Sequence, residues 1–114
     1  MDLALSNHVA VVTGGASGIG KALVRAFLGE GMKVVVGDVE EAPLKAVCRE
    51  FAELGDIRGV VTDVSDAASV DALADQTYSA HGACHLLCNN AGVGAPNFAL
   101  WETEATDWQW VYGV

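Results

Sequence analysis

The chain has 114 residues, 52% of them hydrophobic and 18% charged, with two prolines; this fits one globular domain. Fifteen acidic residues against six basic ones leave a formal charge of −9, which repels phosphate backbones and argues against nucleic acid as a partner. No apolar run reaches bilayer length, and the start "MDLALSNH" lacks a signal-peptide pattern, so no membrane partner and a cytoplasmic location are expected; three cysteines, Cys48, Cys84 and Cys88, fit reduced thiols.

In chain order, "HVAVVT" (residues 8–13) is β-branched and apolar, as a strand buried on both faces should be. Residues 17–30 then read as a helix with Ile19, Leu23, Ala26 and Phe27 on its inner face and Gly31 as its stop. "KVVVGD" (residues 33–38) is a second buried strand. Leu44, Val47, Cys48, Phe51 and Leu54 have helical spacing, with Pro43 near the start and Gly55 just past the end. "IRGVVTDV" (residues 57–64) reads as a third strand. Ser65 is placed to cap a helix that buries Val70, Leu73, Ala74, Thr77 and Tyr78 and closes at Gly82. "HLLCNN" (residues 85–90) is a fourth strand, followed by a loop through Pro96. Thr106 and Gln109 have capping-box spacing and open a last helix with Trp108, Val111 and Tyr112 inward.

Strands alternating with helices predict an α/β fold built from right-handed parallel βαβ units. The expected architecture is the first half of a Rossmann-type doubly wound sheet, strand order 3-2-1-4, with all 114 residues forming the dinucleotide-binding part of one incomplete domain.

The stretch "TGGASGIG" (residues 13–20) joins the first strand to the first helix. Gly14 permits the tight turn, Gly18 removes a side chain where a pyrophosphate would approach, and Gly20 lets the helix pack closely on the sheet. The first amides of the helix, around Ile19, have no internal partner and present the positive end of the helix dipole. A net charge of −9 repels an anionic ligand at long range, so such local dipoles must do the binding. A glycine turn that binds nothing is the plainer reading of the loop alone. Asp38, which ends the second strand 18 residues beyond Gly20, counts against it, because an acid there can hold both ribose hydroxyls of an adenosine. The phosphate-loop pattern GxxxxGK[ST] is not met, since Ala22 follows Lys21.

With the later "DV" (Asp63, Val64) and "NNAG" (residues 89–92), this loop resembles the short-chain dehydrogenase/reductase family, in order and interval, from about Ser6 to Val114. The resemblance implies that Gly14, Ser17, Gly18, Ile19 and Gly20 meet the pyrophosphate and its ribose. Asp63 would accept from the adenine amino group beside the Val64 backbone. Asn89, Ala91 and Gly92 would line the nicotinamide ribose, and Asn90 would brace the sheet. Taken alone, "NNAG" is also an ordinary turn sequence. A carboxylate at Asp38 repels the additional phosphate of NADP, and neither Ser17 nor Val39 offers a cation to receive it, so NAD is the expected cofactor, with NADP disfavoured.

"HGACHLLC" contains four zinc-ligand types, His81, Cys84, His85 and Cys88. In an extended strand Cys84 and Cys88 point one way and His85 the other, which argues against a metal. Both cysteines occupy positions that are apolar in the family, and His85 stands where the family usually has Asp. The acid pairs Glu40–Glu41 and Glu102–Glu104 read as helix-start charges rather than acid–base pairs. Trp101, Trp108 and Trp110 are candidates for a substrate pocket, although Trp108 and Trp110 cannot share a helix face.

Family members transfer hydride with a Ser, a Tyr-x3-Lys pair and an Asn after the fourth strand. Neither Tyr78 nor Tyr112 is followed by such a lysine, and the Asn would fall just beyond Val114, so no residue of the chain is assigned a catalytic role. The resemblance therefore implies the cofactor-binding half of an oxidoreductase that interconverts an alcohol and a carbonyl, inactive by itself and homo-oligomeric when complete. The alternative is a non-catalytic dinucleotide-binding or interaction fragment. Ending after the fourth strand also implies an unpaired sheet edge and a marginal or association-prone chain.

Overall fold

The computed structural model describes residues 2–95 and 99–114, so the loop position Pro96 lies outside the described residues. Four parallel strands, β1 (Val9–Thr13), β2 (Lys33–Asp38), β3 (Ile57–Val61) and β4 (Leu86–Cys88), alternate with helices α1 (Gly18–Gly29), α2 (Glu41–Phe51), α3 (Ala67–His81) and α4 (Ala105–Gly113). A short 3-10 turn, Leu100–Glu102, precedes α4. The sheet order is β3-β2-β1-β4, as the βαβ pattern predicts. Register is in phase along β1, with Val11 opposite Val35 on one side and Leu87 on the other.

Strand alternation divides the core. Ala10, Val12, Val34 and Val36 face α1 and α2 and pack with Val24, Leu28, Leu44, Val47 and Phe51. Val11, Val35 and Val60 face the opposite side and meet Leu73 of α3. Both faces of β1 and β2 are therefore dry, which is why those strands are continuous runs of valine rather than alternating ones.

Several sequence expectations shift. The buried face of α1 is Gly20, Val24 and Leu28; Ala26 is exposed and Ile19 is 75% exposed. The helix rotates by about one residue because Gly20 must lie against the β1 turn. In α2, Leu54 falls outside the helix and is exposed. β3 stops at Val61, short of Val64, where the Thr62 hydroxyl bonds back to the Val60 carbonyl at 2.9 Å. Asp66, not Ser65, caps α3, its carboxylate accepting from the Ala68 amide at 3.1 Å. Ser65 is engaged elsewhere, on Asp63. Leu73 and Thr77 are the buried residues of α3, while Val70, Ala74 and Tyr78 face solvent. α4 starts earlier than the Thr106–Gln109 spacing implied, with the Glu104 amide donating to Asp107 at 2.8 Å. None of its residues is buried: Trp108 and Tyr112 are exposed and stack at 6.0 Å, instead of pointing into a core.

Cys84 and Cys88 do not share a face. Cys84 precedes β4 and packs on the α3 side, whereas Cys88 packs on the α1 side. Strand alternation could not be extended back to Cys84. Burial raises the Cys88 and Cys48 thiols, which keeps both protonated at neutral pH.

His81, at the end of α3, is held below its ordinary value of 6.5, chiefly by burial, with Asp56 opposing and Arg58 and Lys33 reinforcing the shift. The neutral imidazole is thus the native form. As pH falls, the unfolded chain takes up this proton first, so His81's contribution to stability is present above about 6.5 and is lost as pH drops through the lower folded value. A His81→Asn chain is expected to show a shallower fall in Tm between pH 7 and pH 5 than the parent, read by thermal melts across that range.

Candidate functional site

β1 leads directly into the turn that builds the site. Gly14 sits at φ +65°, and a Cβ there would lie 2.9 Å from Ala91 Cα, so the turn and the segment after β4 touch backbone to backbone. A Cβ on Gly20 would meet the Gly14 carbonyl oxygen at 2.2 Å and Asn90 Nδ2 at 2.5 Å. α1 can therefore approach the sheet this closely only with glycine at that position. Gly18 is different. It has φ +54° and nothing within 4 Å of where its Cβ would be, so its space opens outward.

Ser17 precedes the helix in an extended conformation and makes no side-chain cap. The leading amides of α1 are thus left to an external acceptor at the positive end of the helix dipole. Lys21, next in sequence, is not aimed there: its ammonium pairs with Glu50 at 2.8 Å and lies over the Phe51 ring.

At the end of β2, Asp38 accepts from the Ala16 amide through Oδ2 at 3.1 Å and from the Glu40 amide through Oδ1 at 3.1 Å. Its carboxylate is tied to the glycine loop itself, a second role that sequence reasoning did not anticipate. Each oxygen accepts one backbone N–H and keeps a lone pair for a ligand hydroxyl.

The opposite wall comes from the segment after β4. Asn90 Nδ2 donates to the Thr13 carbonyl at 3.0 Å and the Gly14 carbonyl at 3.2 Å, so this residue braces β4 to the β1 turn, as the resemblance implied. Thr13 was not singled out from sequence and is central here. Its buried hydroxyl donates to the Cys88 carbonyl at 3.3 Å and accepts from the Asn90 and Ala91 amides, both at 3.1 Å. The available signal was a lone hydroxyl residue closing an otherwise apolar strand. Asn89 and Gly92 are exposed and Ala91 half-buried just beyond this brace.

Asp63 stands past the end of β3. Its Oδ1 accepts from the Ser65 hydroxyl at 2.6 Å and the Ser65 amide at 2.9 Å, and these bonds hold its carboxyl below the usual carboxylate range. Ser69 Oγ accepts from the Asp63 amide at 2.9 Å, which fixes the turn that also carries Val64. The carboxylate is thereby kept ionised and oriented. Gly14, Ser17, Gly18, Ile19, Gly20, Asp38, Asn89, Ala91 and Gly92 gather around the carboxyl ends of β1, β2 and β4, at the point where strand order reverses. Asp63 and Val64 extend this row past the end of β3.

The three tryptophans do not gather there. Trp108 borders a shallow cleft of about 320 Å³ with Leu100, Val111 and Tyr112, and its indole N–H donates to Thr103 at 3.1 Å. Trp101 and Trp110 are exposed. The acid pairs take the helix-start positions expected: Glu40 and Glu104 are the N-cap residues of α2 and α4, Glu41 pairs with Lys45, and Glu102 accepts from the Ala99 amide.

Comparison with known proteins agrees with this geometry. A family model described as short chain dehydrogenase matches residues 8–114. A (2S)-[(R)-hydroxy(phenyl)methyl]succinyl-CoA dehydrogenase subunit from Thauera aromatica is 36% identical over 107 residues, covering 93% of this chain and 43% of that protein. A 3beta-hydroxysteroid dehydrogenase from Eggerthella lenta is 37% identical, covering 92% and 41%. Among solved structures, a short chain dehydrogenase/reductase from Burkholderia phymatum in complex with NAD superposes with a TM-score of 0.91 at 48% identity, covering 96% of this chain and 39% of that one. L-Sorbose reductase from Gluconobacter frateurii, complexed with NADPH and L-sorbose, superposes with a TM-score of 0.89 at 34% identity, covering 96% and 42%. The chain thus spans less than half the length of these relatives. A glycine turn locked to β4 through Thr13 and Asn90, on a β3-β2-β1-β4 sheet, is what a matched region of this kind should contain, and the chain belongs to the short-chain dehydrogenase family.

Proposed function

We propose that this chain is the cofactor-binding half of a nicotinamide-dependent oxidoreductase that transfers hydride between NAD and an alcohol or carbonyl substrate. The supporting observation is the open space at Gly18, at the uncapped start of α1, on a loop whose Ala16 amide is tied to the Asp38 carboxylate. A diphosphate fits the helix start and a ribose diol the carboxylate.

In this reading Gly14, Ser17, Gly18, Ile19 and Gly20 cradle the pyrophosphate, and Asp38 accepts from the adenosine ribose. Asp63, with the Val64 backbone beside it, receives the adenine amino group. Asn89, Ala91 and Gly92 border the nicotinamide ribose. The bound nicotinamide supplies the hydride acceptor or donor; this chain's residues bind and orient it. Proton transfer is assigned to the family's Ser and Tyr-x3-Lys set, which residues 1–114 do not include, so the chain alone binds cofactor without turnover. The complete enzyme is proposed to be cytoplasmic and homo-oligomeric.

NAD is favoured over NADP because a 2′-phosphate would be placed against the Asp38 carboxylate. Calorimetric titration of the folded chain with NADH and with NADPH tests this. NADH is expected to bind at least tenfold more tightly. Asp38→Asn should weaken NADH by about 1–2 kcal/mol, the scale of a charge-assisted hydrogen bond, and should narrow the gap between the two cofactors. Heat from neither ligand at millimolar concentration overturns the dinucleotide reading; tighter NADPH binding overturns the NAD preference alone.

A further inference from the structure

At the end of the sheet opposite the glycine loop, β4 begins with an unusual contact. The Val9 amide, the first N–H of β1 and part of a residue only 2% exposed, donates to the side chain of His85, with 2.9 Å between N and Nδ1. The His85 amide in turn donates to the Val9 carbonyl at 2.9 Å. In a regular parallel ladder the acceptor for the Val9 amide would be a backbone carbonyl of the segment leading into β4. Here the imidazole replaces it. The His8 ring stands edge-on to His85, with centroids 4.4 Å apart and planes at 83°.

The chemistry of this bond is one-sided. An amide N–H can only donate, so Nδ1 must carry a lone pair and the proton must sit on Nε2. An imidazolium has N–H on both nitrogens. Protonation therefore sets an N–H against an N–H in a part-buried contact whose imidazole is exposed, takes the side-chain acceptor from the Val9 amide, and puts a positive charge against the neighbouring His8 ring.

We propose that His85 is a proton-sensitive clamp on β4: its neutral imidazole pins the start of this strand to β1, and protonation releases it. β4 is only three residues long, so each bond at its two ends carries a large share of its attachment to β1. Its other end is fastened by the Thr13 hydroxyl and the Asn90 amide, neither of which titrates in the neutral range. Acid therefore loosens β4 from the His85 end. The charged and titratable groups at this end of the sheet are His8 ahead of β1, Lys33 paired with Val9 from β2, Asp56 and Arg58 at β3, and His81 at the end of α3. The contribution of His81 is also lost as pH falls, so a global melt cannot separate the two histidines, and the test has to be local. The clamp is independent of whether a dinucleotide binds.

Nitrogen-15 NMR of the folded chain at pH 8 is expected to show His85 with Nδ1 unprotonated. Amide exchange, corrected for its intrinsic pH dependence, should show protection at Val9 and in β4 falling at least tenfold from pH 8 to pH 5.5, while Val34 and Val35 of β2 change little. Asn places a carboxamide oxygen near Nδ1 and does not titrate, so His85→Asn should keep Val9 protected at both pH values. His81→Asn should leave the fall at Val9 intact. A proton on Nδ1 at pH 8, protection at Val9 that follows Val35 through the range, or abolition of the effect by His81→Asn instead of His85→Asn overturns the proposal. If the His85→Asn chain does not fold, the tautomer and the Val9 profile of the parent still decide it.

Discussion

Replacing Gly20 with alanine is expected to destabilise the fold by about 2–4 kcal/mol and to abolish the closed glycine turn. The new methyl would lie 2.2 Å from the Gly14 carbonyl oxygen and 2.5 Å from Asn90 Nδ2. Neither atom can swing aside cheaply. The first is backbone in a turn already packed against Ala91, and the second is held by the Thr13 and Gly14 carbonyls. Relief requires α1 to move off the sheet, which opens the contacts of Val24 and Leu28, residues at 0% and 2% exposure. Gly18 provides the contrast. Gly18→Val meets no atom within 4 Å, and its fold cost is that of a left-handed backbone at φ +54°, about 1–2 kcal/mol. If a diphosphate lies there, the same change should weaken NADH binding by about 100-fold or more, since the side chain fills the approach to the α1 amides. Denaturant melts of both variants, with calorimetry on the one that folds, check the pair. A Gly20→Ala chain as stable as the parent would contradict the packing described for α1, and a Gly18→Val chain with unchanged NADH affinity would contradict the location of the cofactor.

Thr13→Val should cost about 1–2 kcal/mol despite preserving volume and β propensity. The hydroxyl serves three backbone groups at once: the Cys88 carbonyl, the Asn90 amide and the Ala91 amide. Removing it leaves the part-buried Ala91 amide without an acceptor, while the Asn90 amide keeps the Cys88 carbonyl at 2.9 Å; such a loss costs about 1–3 kcal/mol, reduced here because water can reach the half-buried segment after β4. Thr13→Ser keeps the hydroxyl and should recover most of the loss. The measurement is the urea midpoint of the three chains. Dinucleotide affinity should fall with Thr13→Val as well, because Ala91 and Gly92 lose the anchor that sets their distance from the glycine turn. Equal midpoints for valine and threonine would mean that the brace carries little of the β1–β4 attachment.

The fold class and the elements that carry the candidate site were readable because they rest on short-range rules. Runs such as "KVVVGD" can be dry on both faces only inside a parallel sheet, and glycines at 14, 18 and 20 between a strand and a helix suit a turn that something else approaches. Asp38 and Asp63 were legible by interval, as acids at or just past strand ends. What sequence left undetermined was phase and competition. Leu23 and Val24 are both apolar, as are Phe27 and Leu28, so periodicity allowed α1 either rotation. The close approach of Gly20 to Gly14, a tertiary contact, selected Val24 and Leu28. Ser65 and Asp66 can each cap α3, and the choice fell to Asp66 once the Ser65 hydroxyl was taken by Asp63. The roles of Thr13 and His85 were hidden for a related reason. Each bonds to backbone more than 70 residues away in the chain, and hydrogen bonds at such separation leave no local periodicity to read. Local chemistry chose the elements and the glycine loop; only the assembled sheet decided which faces met, and which side chains completed the hydrogen bonding that a three-residue edge strand could not supply for itself.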